Sequence, residues 1–193
     1  TGYQTVDDVD AHTIDFLIAP PLNNSEFGDS DNKTVVNDLV SIAATTRKDC
    51  VVVASPPLSD VQSTTAVTNT VSFAESVTQS NYLFMDNNYL KVFDKYNDKY
   101  INIPANSSTA GLMAQTDFTN APWFSPAGTT RGVYFGVTDI LHSPNKAERD
   151  TLYKAGVNPI TNLPGAGIVL YGDKTMQNRP SAFDRINVRR LFL

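Results

Sequence analysis

His12 and His142 are the only histidines in the 193-residue chain, and Cys50 is the only cysteine. A hydrolytic triad or a histidine-based metal site needs a nucleophile or carboxylate beside a histidine. His12 stands in an acidic stretch with Asp7, Asp8 and Asp10. Such a set could hold a divalent cation, but a solvated N-terminal segment is the plainer reading. His142 precedes a helix-start signal, where a structural role is the plainer reading. Asp86-Asn87-Asn88 and Asp94…Asn97-Asp98 lack the central Gly and terminal Glu of a calcium loop, and turn chemistry accounts for both. Gly165-Ala166-Gly167 precedes a strand, so the dinucleotide-binding pattern is not met. Ser55-Pro56-Pro57 follows an apolar strand, the place where α/β enzymes put their sites, but without a nucleophile elbow. An enzyme built there would show a deep pocket and perturbed titrating groups beyond the strand end. No residue therefore stands out as catalytic, cofactor-binding or metal-ligating. One thiol forms no internal disulfide.

Two other groups point to contact rather than catalysis. Arg185, Arg189 and Arg190 crowd the chain after Asp184. They read as an ion-paired structural cluster or as an intersubunit clamp, since guanidinium forks take carboxylates bidentately. Trp123-Phe124 lies in a proline-bounded loop and reads first as a core plug, second as an interface anchor. The triplets Asn23-Asn24-Ser25, Asn32-Lys33-Thr34 and Asn106-Ser107-Ser108 match the glycosylation sequon, but chance supplies them at this Asn, Ser and Thr content.

The elements that would position these groups follow from hydrophobic period. Ile14 to Ala19 is a buried strand ended by Pro20-Pro21, and Cys50 to Ala54 is another ended by Pro56-Pro57. Between them a polar loop, 22–32, leads to a helix from about Lys33 to Thr46 with Asp31 as its cap. Strand, helix, strand predicts a parallel pair. A second helix is predicted over 64–78. Strands follow at 82–85, 89–93 and 100–104, the last two joined by the polar turn 94–98. A short helix opens at Ser107 or Ser108 and runs to about Thr116. After a Pro/Gly-containing loop, residues 132–141 alternate loosely as a strand. Ser143-Pro144 starts a helix that Gly156 stops. Strands at 157–161 and 167–171 flank Pro164-Gly165, Phe183 to Val188 forms a last strand, and Arg189 begins a helix. The expected fold is a single α/β domain with a mixed, partly parallel sheet flanked by helices, plus a β-hairpin.

Charged residues make up 18% of the chain, while Asn 17, Ser 14 and Thr 20 supply an amide- and hydroxyl-rich surface suited to protein–protein contact. The net charge of −5 argues against nucleic acid as a partner. It is unevenly spread. Residues 1–96 hold 13 acids and 5 bases, net −8, and residues 97–193 hold 7 acids and 10 bases, net +3. That polarity suits head-to-tail self-association. No apolar run is long enough to cross a membrane as a helix, and no secretory leader is visible. A start at Thr1 and an apolar end at Leu191-Phe192-Leu193 suggest a piece of a longer protein.

Several phrases of the second half form an ordered set. They are Ser108 to Asp117 (STAGLMAQTD), Ala121 to Gly128 (APWFSPAG), Arg131-Gly132, Ala147 to Tyr153 (AERDTLY), Gly156 to Ile160 (GVNPI), Gly167 to Thr175 (GIVLYGDKT) and Asp184 to Leu191 (DRINVRRL). Asp49 to Val53 with Pro56-Pro57, and Asp94 to Asp98, extend it into the first half. In order and spacing the set resembles tail sheath proteins of contractile-tailed bacteriophages, nearest those of large T-even-like phages. The resemblance implies a structural protein, not an enzyme, with no cofactor and no catalytic residue. It implies hexameric rings stacked helically around a tail tube, which shorten and drive the tube through the host envelope. The partners it implies are other sheath subunits, the tail tube protein, the baseplate and the tail terminator, with no nucleic acid or membrane. The implied location is the virion tail, and the host cytoplasm during assembly. On this reading residues 1–193 are the sheath core domain, from the C-terminal half of a longer protein and without its terminal arms. Arg185, Arg189, Arg190 and Trp123 are its intersubunit-contact candidates. The alternatives are a sheath of a related contractile injection system, or an α/β enzyme domain with a site near Ser55.

Overall fold

The computed structural model describes residues 2–22, 28–179, 181, 184–185 and 188. In chain order its elements are β1 (Phe16–Ala19), α1 (Asp29–Ser41), β2 (Val51–Ala54), α2 (Leu58–Gln62), α3 (Ala66–Ser76), β3 (Leu83–Asp86), β4 (Tyr89–Asp94) and β5 (Lys99–Pro104). They continue with α4 (Asn106–Thr119), β6 (Asp139–Ile140), α5 (Lys146–Lys154), β7 (Val157–Asn158), β8 (Ile160–Leu163) and β9 (Gly167–Leu170). Strands β1, β2, β3 and β7 form a parallel sheet in that order. The antiparallel strands form sheets of their own, β5-β4-β6 and the hairpin β8-β9.

The unbroken apolar run of β2 is explained by burial on both faces. Cys50, Val52 and Ala54 join one core, with Leu39 and Val40 of α1, Phe73 of α3 and Leu152 of α5. Val51 and Val53 point the other way, toward Ala110 and Met113 of α4 and Ile168 and Leu170 of β9. Adjacent side chains on one strand thus feed opposite cores, and side chains two apart share one, as the pleat requires.

The helix starts differ from the expectations in instructive ways. α1 begins at Asp29, four positions before the predicted start, and Asp31 sits inside its first turn. The Asp31 carboxylate accepts the Gly28 N–H at 2.8 Å, so it secures the start from within. The cap of α5 is Asn145, not Ser143. Its side chain accepts the Glu148 N–H at 3.0 Å, and Glu148 accepts the Asn145 N–H at 2.7 Å. Gly156 supplies the left-handed residue after α5, with φ 84°. α4 opens at Asn106 rather than at a serine, because the Asn106 amide is buried and donates to the Ala19 carbonyl at the end of β1, 2.6 Å away. The predicted helix over 64–78 is confined to α3, and Leu58–Gln62 makes a separate turn of helix. The predicted strand over 132–141 reduces to β6 and one bridge from Val133 to Val169. Asp184 and Arg185 lie in a turn rather than a strand, and the Asp184 carbonyl is held by the Thr175 N–H at 2.7 Å. The helix expected from Arg189 lies outside the described residues.

Candidate assembly surface

The most conspicuous surface feature is aromatic. Phe118 on the last turn of α4 is 93% exposed, and in the segment that follows Trp123 is 56% and Phe135 78% exposed. The core-plug reading of Trp123 is therefore incorrect. Around Trp123 the loop meets the protein through its backbone, and Tyr134 is the large side chain it sends into the core. Gly128 N–H and Leu170 O are 2.8 Å apart, as are Leu170 N–H and Gly132 O, so the loop is laced to β9 through main-chain groups. A Cβ at Gly132 would stand 2.8 Å from the Gly128 nitrogen and the Leu170 oxygen, which only glycine avoids. Arg131 finishes the platform. Its Nε donates to the Ser125 carbonyl at 2.7 Å and its guanidinium lies 5.2 Å from the Phe124 ring centre. With Thr116, Thr119 and Phe135 it also lines a cleft of about 220 Å³. Exposed aromatics on a braced backbone, beside an arginine, make this the candidate contact surface.

The second candidate, Arg185, is connected to the first. Its Nη2 donates to the Tyr153 hydroxyl at 2.7 Å, and its Nε lies 3.6 Å from Asp173 Oδ1. The other Asp173 oxygen accepts the Ser125 hydroxyl at 2.7 Å. Ser125 follows Trp123-Phe124 by one residue, so a buried aspartate joins the aromatic loop to the arginine. Tyr153 lies with Asp173 under Arg185, and burial raises its phenol above the ordinary value while Arg185 opposes the rise. Lys174 covers the same ring, 5.1 Å from its centre. Half of the Arg185 side chain remains exposed, at 48%. Arg189 and Arg190 lie outside the described residues.

Asp173, Phe118 and Phe135 were not singled out from sequence. Phe118 carried a readable signal. The buried positions of α4 include Thr109, Leu112, Met113 and Thr116, and a phenylalanine at 118 falls off that stripe. Asp173 carried none, because its partners lie far away in sequence.

Ser55 does not mark an active site. It is 2% exposed, its hydroxyl donates to Asp86 Oδ1 at 2.7 Å, and its oxygen accepts the Asn106 N–H at 3.0 Å. The first turn of α4 thus closes the strand ends where a substrate would enter. A perturbed acid is indeed present, since burial pushes Asp86 up to about 7. Its oxygens face Ser55, Thr109 and the Asn88 N–H, and Tyr134 bonds Thr109 from behind at 2.8 Å. This is a sealed polar knot in the core. The His142 backbone is pinned to Asn88 and its ring lies 3.7 Å from Glu148. His12 is exposed and contributes its carbonyl, not its ring. Asp94 closes the β4–β5 turn by accepting the Tyr96 N–H at 3.0 Å and the Asn97 amide at 2.6 Å.

Comparison with known proteins gives this surface its context. The family model described as phage tail sheath protein central domain matches residues 5–176, and the chain belongs to that family. It is 43% identical over 171 residues to the tail sheath protein of Enterobacteria phage T4, and 41% identical over 175 residues to that of Vibrio phage KVP40. Each match takes in 82% of this chain and 26% of the relative, so the chain spans about a quarter of those proteins. The fold matches the sheath of PVC, an extracellular contractile injection system, solved in the contracted state. The TM-score is 0.69 at 19% identity, over 98% of this chain and 48% of that one.

Proposed function

We propose that this chain is the core domain of a tail sheath subunit that assembles with copies of itself into stacked hexameric rings around a tail tube. The sheath shortens on host contact and drives the tube through the envelope. The family match over residues 5–176 carries this reading. In it, residues 1–193 form one core domain whose terminal arms belong to the rest of the subunit. The tube, the baseplate and the tail terminator are its other partners. Its place is the virion tail, after assembly in the host cytoplasm. Identities of 41–43% to phage proteins favour a phage over an injection system, whose likeness rests on fold alone.

The intersubunit contacts are assigned to Trp123 with its aromatic neighbours and to Arg185; Arg189 and Arg190 remain candidates on their sequence alone. The opposite charges of the two halves, −8 and +3, favour a head-to-tail packing in which the basic side of one copy meets the acidic side of the next. The test is electron microscopy of the full-length parent protein expressed alone. Long hollow tubes with helical striations are expected. Dispersed particles from a folded full-length protein would overturn the reading. In the same assay Trp123→Ala and Arg185→Glu should leave the subunit folded and shorten or abolish the tubes.

A further inference from the structure

Residues 2–13 are held to the protein in an unusual way. They bury almost no apolar surface. Tyr3 and Val9 are 40% and 43% exposed, every residue from Asp8 to Thr13 is exposed, and among the described side chains of the segment the one hydrophobic packed against the core is Val6. Between this segment and α1 lies a cleft of about 420 Å³, lined by Tyr3, Asp7, Val35 and Asp38 among others. Several of its hydrogen bonds are local: Thr5 to the Gly2 carbonyl, and the Asp10 and Ala11 N–H groups to the Asp8 carboxylate. Among the described residues, the side-chain hydrogen bonds that tie it to the rest of the molecule come from one group. Arg47 Nη1 donates to the Val6 carbonyl at 2.7 Å and to the Asp8 carbonyl at 3.4 Å, and Nη2 donates to the His12 carbonyl at 2.7 Å.

Arg47 is itself fixed from below. Its side chain is 0% exposed. Asp49 takes its Nε at 2.9 Å and its Nη2 at 2.8 Å, a two-point grip on the guanidinium. The segment that presents it is a π-helical extension of α1, Ile42–Arg47, ended by Lys48 in the left-handed conformation with φ 63°. A π segment places side chains off the α-helical register and recurs where a helix does a special task. Here it aims one arginine under a polar, poorly packed stretch of chain.

We propose that residues 2–13 are a strap that leaves the core as a unit while the sheet stays folded, and that Arg47 is the clasp that sets how often it does. Little else opposes release, because ordering a dozen residues is offset by one half-buried valine and three bonds to one guanidinium. The three carbonyls stand at positions 6, 8 and 12, so a pull on the outer end of the strap meets them in turn. In a sheath whose subunits move past one another, which rests on the proposed function, such a strap takes up displacement before the sheet is disturbed. The clasp itself stands whether or not that reading does.

The chain carries its own probe. Cys50, the sole cysteine, is fully buried beside Arg47 and Asp49 and belongs to the core cluster against which Val6 packs. Two rates are measured on the 193-residue chain across a urea series: cleavage by an Asp-directed protease at Asp7, Asp8 and Asp10, and reaction of Cys50 with a disulfide reagent. Both should proceed without urea and depend on it weakly, while the circular dichroism of the sheet and helices changes only at the unfolding midpoint. Arg47→Lys, which keeps the charge and loses the fork, should speed both rates at least about tenfold, the effect of one lost charge-assisted bond. Should that variant fail to fold, Asp49→Asn weakens the grip from a partly exposed position and should speed both rates by a smaller factor. The proposal is overturned if wild-type Cys50 reacts only in step with global unfolding. It is equally overturned if a folded Arg47→Lys or Asp49→Asn variant leaves strap cleavage unchanged.

Discussion

Asp86 offers the sharpest test of how this core is built. It is fully buried at the end of β3, and no cation is among the groups that shift it. Desolvation is the leading cause, and the hydrogen bonds from Ser55, Asn88 and Thr109 recover only part of it. The acid rises from 3.8 to about 7, so the folded protein holds a proton that the unfolded chain releases near pH 4. A raised carboxyl pKa reverses the usual acidic pattern. Its contribution is fully present below pH 4 and is lost as pH rises toward 7, by about 1.4 kcal/mol per pH unit. The total loss across that window is about 4 kcal/mol. Asp60 is also raised by burial and acts in the same direction. Asp94 is lowered by its turn hydrogen bonds, and its effect falls below this window.

Asp86→Asn mimics the neutral acid. Its carbonyl oxygen can still accept from Ser55 and Asn88, and its amide can donate toward Thr109. Urea unfolding should be followed between pH 4.5 and 8.5 for both proteins. Wild-type stability should fall as pH rises toward 7, the variant's profile should be much flatter, and the variant should be the more stable of the two at pH 8. Parallel profiles, or a variant less stable than wild type at pH 8, would refute the argument that desolvation governs this site.

Three further outcomes follow from particular contacts. Gly132→Ala places a Cβ 2.8 Å from the Gly128 nitrogen and the Leu170 oxygen and should cost about 3 kcal/mol in urea unfolding, because backbone cannot step aside as a side chain can. Asn145→Ala removes the N-terminal cap of α5 and should cost about 1 kcal/mol; the double variant with Glu148→Ala should cost less than the sum of the singles, since each bond supports the other. Asp173→Ala unties Ser125 from Arg185 and should cost about 1–2 kcal/mol by thermal melting, chiefly through the part-buried Ser125 hydroxyl, because the half-exposed Arg185 recovers water.

What could be read in advance depended on how local the cause was. β1, α1 and β2 were legible because a two-faced parallel strand leaves a continuous apolar run between prolines, and the βαβ order implies the pairing seen between Phe16 and Val51. The β4–β5 hairpin was legible because Asp94 makes its turn with neighbours two and three residues away. The start of α4 was misplaced because Asn106 answers to Ala19, 87 positions away. The loop after α4 misled for a related reason. A tryptophan between prolines suggests burial, but the loop's inner side is already filled by its main-chain bonds to β9 and by Tyr134. The role of Asp173 was unreadable, since Ser125 and Arg185 meet it only in the folded chain.

That geometry bears on what an assembly surface needs. An exposed aromatic side chain anchors a contact only if its position is fixed before the partner arrives, since ordering a loose loop on binding would consume the gain. The segment carrying Trp123 is fixed twice. β9 holds it through Gly128 and Gly132, and Asp173 holds it through Ser125. The second tie also reaches Arg185, which answers to Tyr153 on α5. A force on the aromatic loop is therefore carried to α5 and, through Leu152, to the core beneath the parallel sheet. Two candidates that stand 62 positions apart in sequence thus belong to one braced unit. Their substitutions in the parent protein should be non-additive in tube assembly if that unit acts as a single contact, and additive if Trp123 and Arg185 meet different neighbours.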